Sequence, residues 1–140
     1  MEYNISGSLM AQSSKQLMVA VVEDDPRIGE LIREEVCDEG HLCQGYLTAE
    51  SFLEEADNLN PDLVLLDLML PGVDGLECLR RLRELPRLQR CPVVIVTALN
   101  DAAKRREAQK QGAFDYILKP DLFDQLPQLL ASLAQQSLEQ

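Results

Sequence analysis

The chain opens on a polar stretch. It then alternates, five times, between short apolar runs and longer segments whose apolar residues recur every three or four positions. Residues 17–22 (LMVAVV) are continuously apolar and valine-rich, as expected of a strand buried on both faces. Pro26 suits a first helical turn, Ile28, Leu31, Ile32 and Val36 follow at helical spacing, and Gly40 is placed to end that helix. Residues 41–47 make a weaker second strand. Thr48 is placed to cap a helix carrying Phe52, Leu53, Ala56 and Leu59, and Asn60-Pro61 forms a turn. Leu63–Leu66 is the third strand, 71–75 a loop, and Leu76, Leu79 and Leu82 mark a helix that Pro86 ends. A basic loop leads to a fourth strand over 93–96, opened by Pro92. Asn100 or Asp101 caps a helix reaching about Gln111, poor in large apolar residues and therefore weakly anchored. Residues 114–118 form the fifth strand. Leu122, Leu126, Leu129, Leu130 and Leu133 stripe a last helix, with Pro127 in its first turn if Asp124 is the cap.

Five strand–helix pairs in strict alternation predict an α/β fold, a (βα)5 doubly wound parallel sheet. The pattern divides the chain into an N-terminal tail (1–15), one domain (16–135) and a short C-terminal tail (136–140). With 140 residues, 46% hydrophobic and 26% charged, this is the composition of one globular domain. No apolar run approaches the ~18 residues of a membrane span. The N-terminus lacks the basic start and apolar stretch of a secretory signal, so a cytoplasmic location is expected, with no membrane partner. A net charge of −11 argues against direct nucleic-acid binding, which draws on Lys and Arg. Of four cysteines, Cys37 and Cys43 flank His41 in a spacing that suggests a metal site. Reduced core thiols are the simpler reading, since a fourth ligand is missing.

In such sheets ligands bind beyond the carboxyl ends of the strands. Glu23, Asp24 and Asp25 follow the first strand, Asp67 the third, Thr97 and Ala98 the fourth, and Lys119 and Pro120 the fifth. Each has an ordinary explanation alone: helix N-terminal charge for the acids, a strand end for the threonine, a solvated lysine. Together they place carboxylates, a hydroxyl and an ammonium on one rim. Clustered carboxylates repel and raise one another's pKa, and a hard divalent cation relieves the conflict. Asp24 and Asp67 suit direct ligation of Mg²⁺, Glu23 ligation through water, and the Met69 backbone carbonyl supplies a further oxygen. A carboxylate such as Asp67 also forms acyl phosphates, with Thr97 and Lys119 available to phosphoryl oxygens.

The segments VVEDD (21–25), LLDLMLPGVDG (65–75), VVIVTA (93–98) and GAFDYILKP (112–120), in this order and spacing, resemble the receiver domain of bacterial two-component response regulators. The likeness runs from about Leu17 to Leu133. It implies the CheY-like, flavodoxin-like strand order 2-1-3-4-5. It implies Asp67 as phosphoacceptor, and Glu23, Asp24, Asp67 and the Met69 carbonyl as the Mg²⁺ site, with Mn²⁺ able to substitute. Thr97 would be the switch hydroxyl, Ala98 beside it a further phosphoryl-contacting position, Lys119 the phosphoryl-contacting lysine, Pro120 a cis-proline, and Tyr116 an aromatic switch that rotates inward. The phosphodonor would be a phosphohistidine on a sensor histidine kinase or phosphotransfer protein. The chain would be no enzyme beyond its own phosphorylation and dephosphorylation.

The expected output face comprises the fourth helix, fifth strand and fifth helix. Lys104, Arg105, Arg106, Phe114 and Tyr116 lie near it, ready for an effector protein or a second copy of the chain. Met69 and Leu99 stand two residues beyond Asp67 and Thr97. Being apolar, they cannot orient an attacking water, which predicts slow self-dephosphorylation. Asp121 departs from the aromatic more usual after Lys-Pro. Two alternatives remain: a receiver excised from a larger regulator with a DNA-binding or enzymatic output, and a Mg²⁺-dependent phosphatase of the haloacid dehalogenase type. The latter requires a proton donor two residues after the nucleophile, and Met69 cannot serve.

Overall fold

The computed structural model describes residues 15–139, with side chains to Gln136. The tail expected over 1–15 thus lies outside the described residues except for Lys15. Five strands alternate with five helices: β1 (Met18–Val22), α1 (Pro26–Asp38), β2 (Leu42–Tyr46), α2 (Ala49–Leu59), β3 (Leu63–Leu66), α3 (Gly75–Leu82), β4 (Val93–Thr97), α4 (Ala102–Lys110), β5 (Asp115–Leu118) and α5 (Leu122–Glu139). All strand pairs are parallel and the order is β2-β1-β3-β4-β5. The fold class and order anticipated from the sequence are therefore present.

The period of two along each strand divides the core. Val19, Val21, Leu63, Leu65, Val94 and Val96 point to one face, where Ile32 and Val36 of α1 and Leu122, Leu126 and Leu130 of α5 cover them. Ala20, Val22, Val64, Leu66 and Ile95 point to the other face, under Phe52 and Ala56 of α2, Cys78, Leu79 and Leu82 of α3, and Ala108 of α4. Fully burying a side chain such as Leu or Phe contributes about 1.5–3 kcal/mol. β1, β3 and β4 are buried on both faces, so their valine and leucine runs fix the register of the rim above them.

Local chemistry sets the helix starts. Asp25, Thr48, Asp74 and Asp101 each accept an N–H from the first turn of α1, α2, α3 and α4. α4 buries only Ala108, which makes it the weakly anchored helix its sequence suggested. Several boundaries differ from the pattern. The basic loop contains a 3₁₀ turn at Pro86–Leu88, because Leu88 turns inward and is buried. α5 begins at Leu122, directly after a 3₁₀ turn over Lys119–Asp121, so Asp124 is not its cap and Pro127 lies inside it. Burial of Leu122 beside Leu126 draws the helix start upstream. α5 also continues to Glu139, past the boundary drawn at 135.

Candidate functional site

β1 and β3 are neighbours in the sheet, with Val22 paired to Leu66. The next residue in each chain direction, Glu23 and Asp67, is therefore carried to the same rim. The Asp67 N–H donates to the Val22 carbonyl at 3.0 Å, and the Glu23 N–H to that of Tyr46 at 2.9 Å, so both acids stand on continued sheet geometry. Both are buried, whereas Asp24 is exposed. Carboxylate oxygens of Glu23, Asp24 and Asp67 lie within 4.8 Å of one another. This is the group of three or more potential metal ligands found among the described residues; Cys37, His41 and Cys43 do not form one. His41 instead accepts the Leu17 N–H through Nδ1 at 3.0 Å, and all four cysteines are free thiols.

The local hydrogen bonds leave room for a cation. Asp67 Oδ1 accepts the Met69 N–H at 3.1 Å and Oδ2 accepts from Lys119 Nζ at 3.0 Å. Glu23 Oε2 accepts the Asp25 N–H at 3.0 Å. Glu23 Oε1 lies 2.9 Å from Lys119 Nζ, but without the alignment of a hydrogen bond, and is a buried oxygen otherwise unsatisfied. Burial pushes the Glu23 carboxyl above its ordinary range, with the Asp67 charge adding to the effect; Lys119 and the Asp25 N–H oppose it. For Lys119, burial acts to lower the value, yet the close contacts with the Glu23 and Asp67 carboxylates and their charges carry the net shift upward. The ammonium is held charged between two carboxylates. A hard oxygen set with one unsatisfied buried oxygen fits a small divalent cation.

Thr97, the last residue of β4, is fully buried. Its Oγ1 accepts the Leu99 N–H at 3.2 Å. The Leu99 carbonyl accepts the Tyr116 hydroxyl at 2.6 Å. Leu99 thus joins the hydroxyl at the end of β4 to the ring on β5 through its own two backbone groups. Tyr116, expected to turn inward on switching, is inward here at 5% exposure, with the Arg105 guanidinium 4.6 Å from the ring centre. Ala98 is exposed between Thr97 and Leu99.

The peptide before Pro120 is trans, and no cis peptide occurs among the described residues, which corrects the cis-proline expectation. Pro120 belongs to the 3₁₀ turn at Lys119–Asp121, whose opening turn accommodates proline with a trans bond. Phe114 also departs from expectation. It precedes β5, is 50% exposed, and faces a concavity at the base of the sheet with Arg87 and Arg90. Lys104 lines a cleft of about 480 Å³ beside the acidic rim, with Asp24, Met69, Leu70, Leu76 and Leu99. Met69 is 58% exposed there.

Gly75, expected in the loop over 71–75, is the first residue of α3, and a Cβ there would overlap the Asp67 carbonyl and the Leu68 Cα. Its N–H donates to the Leu68 carbonyl at 3.0 Å. The glycine lets the helix start press against the backbone carrying Asp67. The signal was the Asp-Gly pair at 74–75, a cap followed by a residue without a side chain.

The comparisons agree with this geometry. The family model for the response regulator receiver domain matches residues 19–131. The chain belongs to the response regulator receiver family. It is 37% identical over 102 residues to the phosphate regulon transcriptional regulatory protein PhoB of Rhizobium meliloti, covering 73% of this chain and 45% of that protein. It therefore spans less than half the length of this relative. Among solved structures, the BeF3-activated N-terminal receiver domain of Klebsiella pneumoniae RstA matches with TM-score 0.71 and 33% identity, covering 81% of this chain and 97% of the other. The receiver domain of Francisella response regulator 1452 matches with TM-score 0.79 and 27% identity, covering 87% and 99%. No helix among the described residues is long and apolar enough to cross a membrane.

Proposed function

We propose that this receiver is a phosphorylation-controlled switch whose phosphoacceptor is Asp67. The observation that carries the reading is the buried Asp67 carboxylate, braced by the Met69 N–H and Lys119 and grouped with Glu23 and Asp24. The bracing holds one rotamer with an oxygen directed at incoming phosphorus. An Asp67 oxygen attacks the phosphorus of a phosphohistidine on a sensor kinase or phosphotransfer protein. The P–O bond forms as the P–N bond breaks, and the imidazole leaves with a proton from solvent. Lys119 turns from the carboxylates to a phosphoryl oxygen, and Thr97 offers its hydroxyl to another. Mg²⁺, or Mn²⁺ in its place, would be held by Glu23, Asp24, Asp67 and the Met69 carbonyl. It would supply neutralisation of charge on the carboxylates and the phosphoryl group.

The chain then acts on no other substrate, catalysing only its own phosphorylation and dephosphorylation in the cytoplasm. Phosphorylation adds roughly −1.5 to −2 charges. Once Thr97 donates its hydroxyl proton to a phosphoryl oxygen, any movement of Oγ1 pulls on the Leu99 N–H that it accepts, and the Leu99–Tyr116 link passes the change to α4 and β5. That face serves an effector protein or a second copy of the chain. The curated relative is named a transcriptional regulator and is longer, so an output domain on the same polypeptide is the second reading.

Amide NMR with Mg²⁺ and beryllofluoride tests the proposal. Shifts at Asp67, Thr97, Leu99 and through 102–118 are expected. Shifts confined to residues 23–25, or none in the presence of both reagents, would overturn it.

A further inference from the structure

At the amino ends of β3, β4 and β5, opposite Asp67, lies a concavity of about 500 Å³, within the size range of small-ligand sites. Arg83, Arg87, Arg90, Cys91, Phe114 and Leu133 are among its lining residues. Three arginines in one depression are unexpected on a chain of net charge −11. Their charges are poorly compensated. Arg83 donates to the carbonyls of Leu88 and Cys91 through Nη1 and of Gly112 through Nη2, each at 2.9 Å, and to no carboxylate. Burial pulls its guanidinium below the ordinary value. Arg87 approaches Asp57 only at 4.0 Å, and Arg90 makes no ion pair among the described residues. The acid in the lining, Asp62, is occupied: Oδ1 accepts from Lys15 Nζ at 3.0 Å and Oδ2 from the Met18 N–H at 2.8 Å.

Arg83 is a structural clamp for the loops before β4 and β5. Among the described residues Arg87 and Arg90 donate no hydrogen bond, which leaves their planar forks for bidentate contact with phosphate or carboxylate. Phe114 lines the same depression and is 50% exposed, offering a ring for stacking. Pro61 and Pro92 give the wall stiff apolar surface.

We infer that this concavity binds a small polyanion carrying a planar ring, of the nucleoside-phosphate class, through Arg87, Arg90 and Phe114. The proposal is independent of phosphorylation at Asp67, because the two places lie at opposite ends of the sheet. A bound anion would brace the loop before β4 and the turn between α4 and β5, both already tied to Arg83.

The test is amide NMR and calorimetry on the full chain in EDTA, which keeps nucleotide–metal complexes away from the acidic rim. The probes are ADP, adenosine and inorganic phosphate. ADP is expected to shift Cys91, Gly112 and Phe114 and to bind more tightly than the other two. The Arg87→Gln/Arg90→Gln double variant should weaken ADP by about tenfold or more. Both side chains are exposed, and an unchanged melting temperature would confirm that the variant folds. Phe114→Ala should bring ADP down to the affinity of inorganic phosphate. Absence of shifts from ADP, shifts only at 23–25 and 67–69, equal binding of ADP and phosphate by the wild-type protein, or full retention by the double variant would each overturn the inference. So would a short oligonucleotide that outcompetes ADP per phosphate.

Discussion

The Lys119 ammonium sits between Glu23 and Asp67, 2.9 Å from Oε1 of one and 3.0 Å from Oδ2 of the other. It occupies the charge-balancing role that a divalent cation would otherwise take alone. Replacing it with methionine leaves two buried carboxylates without that positive partner. Lys119→Met should lose roughly 1.5–3 kcal/mol of stability in EDTA, the range for hydrogen bonds to charged groups. Added Mg²⁺ should raise the melting temperature of the variant more than that of the wild type. A smaller Mg²⁺ effect in the variant would show that Lys119 does not share the cation's task.

Glu23 gives a pH-dependent counterpart. Burial raises its folded-state value above the ordinary 4.5, so the folded protein holds this proton more tightly than the unfolded chain. Its contribution to stability is full below pH 4.5 and is lost as pH climbs through the raised value. In EDTA, Glu23→Gln should therefore be more stable than the wild type at pH 7. The gap should narrow as pH falls toward 4.5. Melting curves across that window check it, and a variant less stable at pH 7 would refute the desolvation argument. Calorimetry should show weakened Mg²⁺ binding in the same variant.

The strand runs made most of this legible. LMVAVV, LVLL and VVIV are apolar on both faces, which only a covered parallel sheet satisfies, and the polar residue ending each run then marks the rim. Glu23, Asp67 and Thr97 are readable for that reason. What was not legible depends on contacts distant in sequence. The start of α5 follows from burial of Leu122 against the sheet, which outweighs the cap offered by Asp124. The inward Tyr116 depends on the Leu99 carbonyl 17 residues away. Phe114 shares its concavity with Arg87 and Arg90 from another loop. Pro120 shows the limit of resemblance: the Lys-Pro pair is there, but the bond is trans.

Arg105 and Tyr116 fasten a helix that otherwise buries only Ala108. Tyr116→Phe removes the 2.6 Å bond to Leu99 and should cost about 1 kcal/mol. Arg105→Ala removes a cation–π contact of about 0.5–1 kcal/mol. In both variants hydrogen exchange should accelerate across 102–110 and remain unchanged in β1 and β3. Uniform acceleration would place these side chains in the global core rather than in a local latch.

The apolar pair at Met69 and Leu99 bears on lifetime. Neither side chain offers a hydrogen bond to water, and both line the cleft beside the acidic rim. A Met69→Asn/Leu99→Glu variant, once phosphorylated, should lose its phosphoryl group faster than the wild type. Decay followed by intact mass after removal of the donor decides it, and equal half-lives would dismiss the role given to these residues.

The central claim, that Asp67 is the residue that captures phosphorus, meets its most direct test in intact-mass spectrometry after mixing the protein with Mg²⁺ and acetyl phosphate. The account predicts the mass gain of one phosphoryl group, absent in Asp67→Asn and abolished in the wild type by EDTA. An equal gain in Asp67→Asn, or a gain indifferent to EDTA, would contradict it.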